Sequence, residues 1–332
     1  MKKIVITGGA GFIGSHIVDH FADQYPDAHI TVFDKMTYAA DIRNIMHLIE
    51  TRRIELIVGD VCDLQKCFEV LNGCDLLIHA AAESHVDNSF GNSLEFSRTN
   101  VLGTHALMEA ALKSNVPKII HVSTDEVYGE VVQGRVDEAA HLLPTNPYSA
   151  SKAAADMIIE GYKKSFQLPV ITVRSNNIFG IRQFPEKIIP KFLLMMMKGE
   201  KLPLHGNGKN MRHFLAALDL CKALDLLVKK GEIGAIYNIG TMDEYKNIEI
   251  AEMICALFDQ NPKDAITFIP DRPFNDARYA ITWEPLKALG WAPEIHLRDH
   301  LPVMAAWYFD NFERFAGEGE KPAHIPNSLK VA

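Results

Sequence analysis

Short apolar runs alternating with helix-period stretches predict an α/β fold, a doubly wound parallel sheet with helices on both faces. Three observations carry that expectation. The strand-like runs are almost unbroken in their apolar character, as strands buried on two sides require. They recur with helical stretches between them, the pattern of parallel strands joined by crossovers. The first run ends in a cluster of glycines that opens a helix.

Taken in order, residues 4–7 form the first strand and 12–21 carry helical spacing. Residues 30–34 are a second strand ending in an acid, Asp34, and 54–58, 76–80, 118–122 and 170–173 repeat the strand pattern. Helical stretches at 103–114 and 149–166 lie between the later strands. Beyond about Gly180 the pattern shortens, punctuated by Pro185, Pro190, Pro203, Pro262, Pro270, Pro273, Pro285 and Pro293. One further strand-like run, 235–240, is expected to rejoin the sheet. Residues 1–180, with 235–240, thus read as a nucleotide-binding domain, and 181–332 as mainly a smaller C-terminal α/β substrate lobe, with the cleft between them. The stretch from Glu320 onward reads as a loosely held tail.

Composition narrows the function. Of 332 residues 48% are hydrophobic and 23% charged, an ordinary globular balance. A formal charge of −8 argues against nonspecific nucleic-acid binding, although local basic residues could still hold an anionic substrate. Cys62, Cys67, Cys74, Cys221 and Cys255 are odd in number and lack CxxC spacing, so reduced thiols are expected, with no zinc or other metal site. No run approaches the ~18 apolar residues of a membrane span. Met1-Lys2-Lys3 is followed by no apolar signal core, so the chain is expected in the cytoplasm.

Gly8-Gly9-Ala10-Gly11-Phe12-Ile13-Gly14 fits both GxxGxxG and GxGxxG, with a strand before it, a helix after it, and Asp34 at the end of the next strand. That context marks a Rossmann-type dinucleotide site, in which glycines let the backbone approach a pyrophosphate at a helix N-terminus. Asp34 would accept from a ribose and repel a 2′-phosphate, which favours NAD over NADP; Lys35 beside it pulls the other way. Asp60 and Val61 lie where side chains could reach the adenine, and Ala80 and Ala82 where small residues admit the nicotinamide half. Packing would explain the alanines equally well. Gly8, Gly11, Phe12, Ile13 and Gly14 complete the cofactor set, with Tyr148 and Lys152 at its reactive end.

Tyr148 and Lys152 stand at i and i+4, on one face of the helix that 149–166 predicts. A lysine near the phenol would lower its pKa from about 10, so that it accepts an alcohol proton while hydride leaves the same carbon. Thr124 ends a parallel strand, where such sheets place ligands. Asp125 and Glu126 follow it. Adjacent loop carboxylates are usually solvated, but two in one desolvated site differ in pKa and can serve as acid and base, which suits elimination of water.

At these residues the chain resembles the extended short-chain dehydrogenase/reductase superfamily, and within it the nucleotide-sugar 4,6-dehydratases, over about residues 3–309. The likeness includes Ala81-Ala82-Glu83-Ser84-His85-Val86-Asp87, Ser123-Thr124-Asp125-Glu126-Val127-Tyr128-Gly129, Pro147-Tyr148-Ser149-Ala150-Ser151-Lys152, Ser175-Asn176-Asn177 and Phe184-Pro185-Glu186-Lys187-Ile188-Ile189-Pro190. It implies Tyr148 as base at the C4 hydroxyl, aided by Thr124 and Lys152, Asp125 as the acid at the leaving C6 hydroxyl, and Glu126 as the base at C5. It further implies substrate contacts at Ser84, Asn177, Glu186, Lys187, His205, Arg212, Asn247, Arg272, Asn275 and Tyr279. Lys187, Arg212 and Arg272 also suit a diphosphate by their chemistry.

The resemblance implies NAD as cofactor, dTDP-glucose or UDP-glucose as substrate, and a homodimer formed by helices around 99–114 and 149–166 as a four-helix bundle. The chain departs from the bacterial dTDP-glucose group at His213-Phe214-Leu215-Ala216, where Asp-Trp-Leu-Tyr is usual, and a histidine there could signal an altered sugar pocket. Two other readings stay open: a 4-epimerase, which needs no Asp125–Glu126 pair, and a non-catalytic NAD-binding scaffold.

Overall fold

Alternating side chains of the first strand already divide the core, because Ile4 and Ile6 face one layer of helices and Val5 the other, all three fully buried. The computed structural model describes residues 1–271 and 274–329. In chain order its strands are β1 (Lys3–Thr7), β2 (His29–Asp34), β3 (Ile54–Val58), β4 (Leu76–His79), β5 (Ile119–Thr124), β6 (Val170–Ser175), β7 (Asn177–Phe179), β8 (Leu202–His205), β9 (Met211–Ala216), β10 (Ile236–Ile239), β11 (Glu244–Lys246) and β12 (Ile266–Ile269).

Seven of these form one parallel sheet in the order β10-β6-β5-β4-β1-β2-β3. The order reverses at β1, which lies between β2 and β4, so a crevice opens beyond the C-terminal ends of β1 and β4. On one face the helix Phe12–Gln24 presents Ile17, Val18 and Phe21 to Ile4, Ile6 and Ile30, and the helix Ala217–Lys230 extends that layer with Leu220, Leu224 and Leu227. On the other, Leu107 and Met108 of the helix Thr104–Lys113 and Ile159 of Pro147–Phe166 cover Val5 and Leu77. Each fully buried aliphatic side chain of this kind contributes about 1.5–3 kcal/mol.

The chain then leaves the sheet. β7, β9 and β11 make a three-stranded sheet, β8 and β12 a parallel pair, and a separate apolar cluster of Phe179, Leu193, Leu204, Phe214, Ile254 and Tyr308 packs beneath them. Residues 235–240 do supply an edge strand, β10, beside β6. The helical stretch expected from 103 begins earlier, as a wide π-turn over Ser97–Gly103. Among the described residues no helix is long and apolar enough to cross a membrane.

Candidate active site

β1 ends at Thr7 and the chain turns on Gly8, whose φ of +71° favours glycine. A Cβ on Gly8 would lie 2.8 Å from the backbone of Ala81, and one on Gly14 only 1.9 Å from the carbonyl oxygen of Gly8. These contacts keep the turn close to the end of β4. The helix Phe12–Gln24 has no side-chain cap at Gly11, which leaves its first N–H groups facing the crevice. A cavity of about 270 Å³ occupies that crevice. Gly8, Gly11, Phe12, Ile13, Gly14, Asp34, Lys35, Asp60, Val61, Ala80 and Ala82 all line it, and Tyr148 and Lys152 close its far end.

Asp34 is fixed there, Oδ2 accepting from Ala10 N at 2.9 Å and Oδ1 from Met36 N at 2.8 Å. Lys35 turns to Asp60 and Glu95, at 3.0 and 3.3 Å, and so is already paired. The small-residue turn, the open helix end and the buried acid fit a dinucleotide with a free 2′-hydroxyl.

β5 delivers Thr124, and Asp125–Tyr128 make a single 3₁₀ turn that Gly129 ends at φ +76°. Thr124 Oγ1 accepts from Glu126 N at 3.3 Å. Asp125 is 2% exposed and its Oδ2 accepts from Asn176 Nδ2 at 2.7 Å. Burial and then the neighbouring Glu126 charge push Asp125 up to about 7, against the Asn176 bond and Arg212. Glu126 is raised by burial, with Arg212 and Lys187 opposing. Thr124 and Glu126 line the cofactor cavity, whereas the Asp125 carboxylate lies behind that wall against Asn176.

The helix Pro147–Phe166 starts at a capping box between Asn146 and Ser149, with Pro147 at its first turn. Tyr148, Lys152 and Asp156 follow at one-turn intervals and all are buried. Lys152 Nζ donates to the Val122 carbonyl at 2.8 Å; burial lowers it to about 8, with Asp156 opposing. The expected depression of the Tyr148 pKa does not arise from these charges. Burial first, then Glu126, raises the phenol above its ordinary value, and the Thr124 hydroxyl works against them.

A second cavity of about 180 Å³ adjoins the first. Asn177, Glu186, Lys187, His205, Arg212, Asn247, Asn275 and Tyr279 line it. Glu126, Asn177, Glu186 and Lys187 belong to both walls, so Glu126 stands where the cavities meet. Ser84 lines the first cavity and not the second, its carbonyl accepting from Lys187 Nζ at 2.7 Å. Arg272 lies outside the described residues. Arg212 stacks over the Tyr279 ring at 4.6 Å and donates to the Asp276 carbonyl at 2.9 Å.

His213, suspected of altering the sugar pocket, does not line either cavity. It sits one residue beyond Arg212 on a strand, so its side chain turns to the opposite face, where it is 1% exposed.

Sequence reasoning missed several supporting residues. Asn176 stood in a motif already singled out and needed only its neighbour's burial to be read. Asn100 carried no local signal. It reaches Glu83 and Ser151 because the π-turn rotates it inward, accepting from Glu83 N at 2.8 Å and donating to Ser151 Oγ at 2.8 Å.

Residues 5–304 match the family model described as GDP-mannose 4,6 dehydratase. The chain belongs to that family. Family relatives include a trifunctional UDP-glucose 4,6-dehydratase/UDP-4-keto-6-deoxy-D-glucose 3,5-epimerase/UDP-4-keto-L-rhamnose-reductase of Arabidopsis thaliana, 45% identical over 318 residues. That match covers 94% of this chain and 48% of the relative, so the chain spans about half the length of the plant protein. A dTDP-D-glucose 4,6-dehydratase of Mus musculus is 38% identical over 322 residues, covering 95% of this chain and 90% of its own. Among solved structures, the dTDP-glucose 4,6-dehydratase DesIV of Streptomyces venezuelae, crystallised with NAD bound, superposes with a TM-score of 0.92 at 35% identity, over 95% of this chain and 99% of that one.

Proposed function

We propose that the chain is an NAD-dependent nucleoside-diphosphate-glucose 4,6-dehydratase, a hydro-lyase converting UDP-glucose or dTDP-glucose to the 4-keto-6-deoxy sugar. The observation that carries this is the buried Asp125–Glu126 pair beside the point where the two cavities meet, next to a Tyr148–Lys152 pair. A 4-epimerase would need Tyr148 and Lys152 alone and would have no use for two desolvated carboxylates. Residues 1–180 with 235–240 hold the cofactor in this reading, and 181–332 mainly the nucleotide sugar. The named relatives, which include UDP- and dTDP-glucose dehydratases, support a pyrimidine nucleotide. Five free cysteines support a reducing compartment such as the cytoplasm.

NAD, when bound, supplies the hydride acceptor and returns that hydride at the end. The chain's residues do the proton work. Tyr148, with Thr124 beside it, takes the proton of the C4 hydroxyl as a phenolate, a form that burial and Glu126 disfavour and that the cationic nicotinamide of bound NAD would favour, and the ketone so formed acidifies the C5 hydrogen. Glu126 removes that hydrogen as a proton. Asp125, about half protonated at neutral pH, donates to the departing C6 hydroxyl once it turns from Asn176 toward the cavity, and water leaves. When that hydride goes to C6, Glu126 gives its proton back at C5, which saturates the double bond, and no outside reductant is consumed.

The test uses purified protein with UDP-glucose, and separately with dTDP-glucose, without added reductant. Loss of one water from the substrate mass, with the alkaline absorbance of a 4-keto sugar, is expected. An unchanged mass with a galactose-configured product would overturn the proposal in favour of the epimerase. Glu126→Gln should reduce bound cofactor on mixing with substrate, seen as nicotinamide absorbance, yet release no water; full turnover by that variant would remove Glu126 from its role.

A further inference from the structure

The loop after β2 is short and fastened at both ends. Met36 N donates to Asp34 Oδ1 at 2.8 Å, and Asp41 N donates to the Ala10 carbonyl at 3.0 Å. Between them Ala40 N closes a turn on the Thr37 carbonyl at 3.0 Å, which places Tyr38 at the tip. Thr37, Ala39 and Ala40 line the cofactor cavity, as do Phe184 and Glu186 of the 183–187 segment. Tyr38 joins the two. Its ring meets Phe184 edge-on, with centroids 5.4 Å apart, and its hydroxyl donates to Glu186 Oε2 at 2.9 Å. Asn88 Nδ2, from a third segment, donates to the same hydroxyl at 3.3 Å. Tyr38 is 50% exposed while the residues it joins line the cavity, so its side chain lies on the rim, between the crevice and solvent.

We propose that Tyr38 is a positioning residue that retains the cofactor, a bar across the rim of the crevice locked on Glu186 and Phe184. The 183–187 segment is tied separately at its start to the helix Phe12–Gln24, Arg182 Nη1 donating to Asp19 Oδ2 at 2.6 Å and His16 Nε2 lying 3.1 Å from the Ile181 carbonyl oxygen. Both walls are thus held without Tyr38, and opening needs only a half-exposed side chain at a loop tip to swing. The lock is a phenol O–H on a carboxylate, stronger than a bond between neutral groups, and burial and then Glu186 keep the proton on the phenol. The consequence falls on the reaction. Hydride taken from C4 must come back to C6 of the same sugar, so a cofactor that left in between would strand an oxidised sugar with no hydride to receive. The bar covers that interval. This use of it rests on the proposed dehydratase reading; the retention does not.

Protein loaded with NADH and mixed with excess NAD reports release as the loss of bound-nicotinamide fluorescence. Tyr38→Phe keeps the ring on Phe184 and removes the lock, and Tyr38→Ala removes both. Release should quicken about tenfold in Tyr38→Phe, as for the loss of one hydrogen bond to a charged group, and further in Tyr38→Ala. Given UDP-glucose or dTDP-glucose, both variants should shed NADH into a filtrate and lose activity during turnover until NAD is added, whereas wild type should do neither. Should Tyr38→Ala not fold, Tyr38→Phe decides alone. Release at the wild-type rate in the variants would overturn the retention. Quickened release in the variants with no dehydration by wild type would uphold the bar and overturn the dehydratase reading, because the release measurement uses no sugar.

Discussion

Asp125 and Glu126 are chain neighbours in different surroundings, and their division of labour follows from that. Asp125 gains one amide donor and a like charge beside it, whereas Glu126 faces two cations across the cavity wall. A carboxyl near 7 is an acid only while protonated, so dehydration should decline as pH rises past about 7. Asp125→Asn should lower kcat by about 10²–10⁴-fold while cofactor reduction survives, a split readable by comparing nicotinamide absorbance with water loss. The same burial carries a stability consequence. The folded pKa lies above the unfolded one, so the folded state binds the extra proton between about pH 4 and about 7 and stability falls as pH rises through that window. Asp125→Asn should therefore raise the urea midpoint at about pH 8 relative to wild type, and an unchanged midpoint would contradict the assigned shift.

At the scale of elements, the helix Pro147–Phe166 gives each successive turn of one face a different charge role. Below Tyr148 and Lys152, Asp156 accepts from Arg174 Nε at 2.9 Å and stands 3.4 Å from His121 Nε2, with none of the three more than 2% exposed. Burial alone would raise Asp156, but the neighbouring His121 ring and the Arg174 charge hold it below the usual carboxylate range. Removing one member of such a pair strands the other in a low dielectric. Asp156→Ala should cost about 3–5 kcal/mol by chemical denaturation, and the double variant with Arg174→Met less than the two single costs added. Equal additivity would mean that the pair is not coupled. The glycine turn is equally intolerant: Gly14→Ala would drive a methyl into the Gly8 carbonyl.

For the whole molecule the open question is what covers the outer face of the two helices flanking the sheet. Leu107 and Met108 are fully buried within the chain and are not available to a partner. Leu102, 53% exposed, and Met157, 52% exposed, are outward-facing apolar side chains on those two helical segments. We propose that a second copy packs there as a four-helix bundle, and that Leu102→Glu with Met157→Glu yields a monomer by sedimentation. A dimer unaffected by both charges would put the contact elsewhere.

The strand runs, the glycine turn and Asp34 were legible in sequence because local chemistry dictates them: apolar continuity, the lack of a Cβ, and a fixed spacing to the next strand. Residues 235–240 could be assigned to the sheet by the same continuity. The Thr124-Asp125-Glu126 run and the Tyr148–Lys152 spacing also declared themselves, since a turn and a helix fix them locally. What tertiary structure decided was environment. Only packing determined that Lys152 donates to the Val122 carbonyl, that burial and Glu126 push the Tyr148 phenol upward, that Asp125 turns to Asn176, and that Ser84 stands apart from the other substrate candidates. His213 is the clearest case, since its neighbour Arg212 lines the cavity while the strand's alternation sends the histidine to the far side. Sequence names the residue types in a site, but desolvation and charge pairing depend on groups that are distant in the chain, and those set the protonation each residue brings to its work.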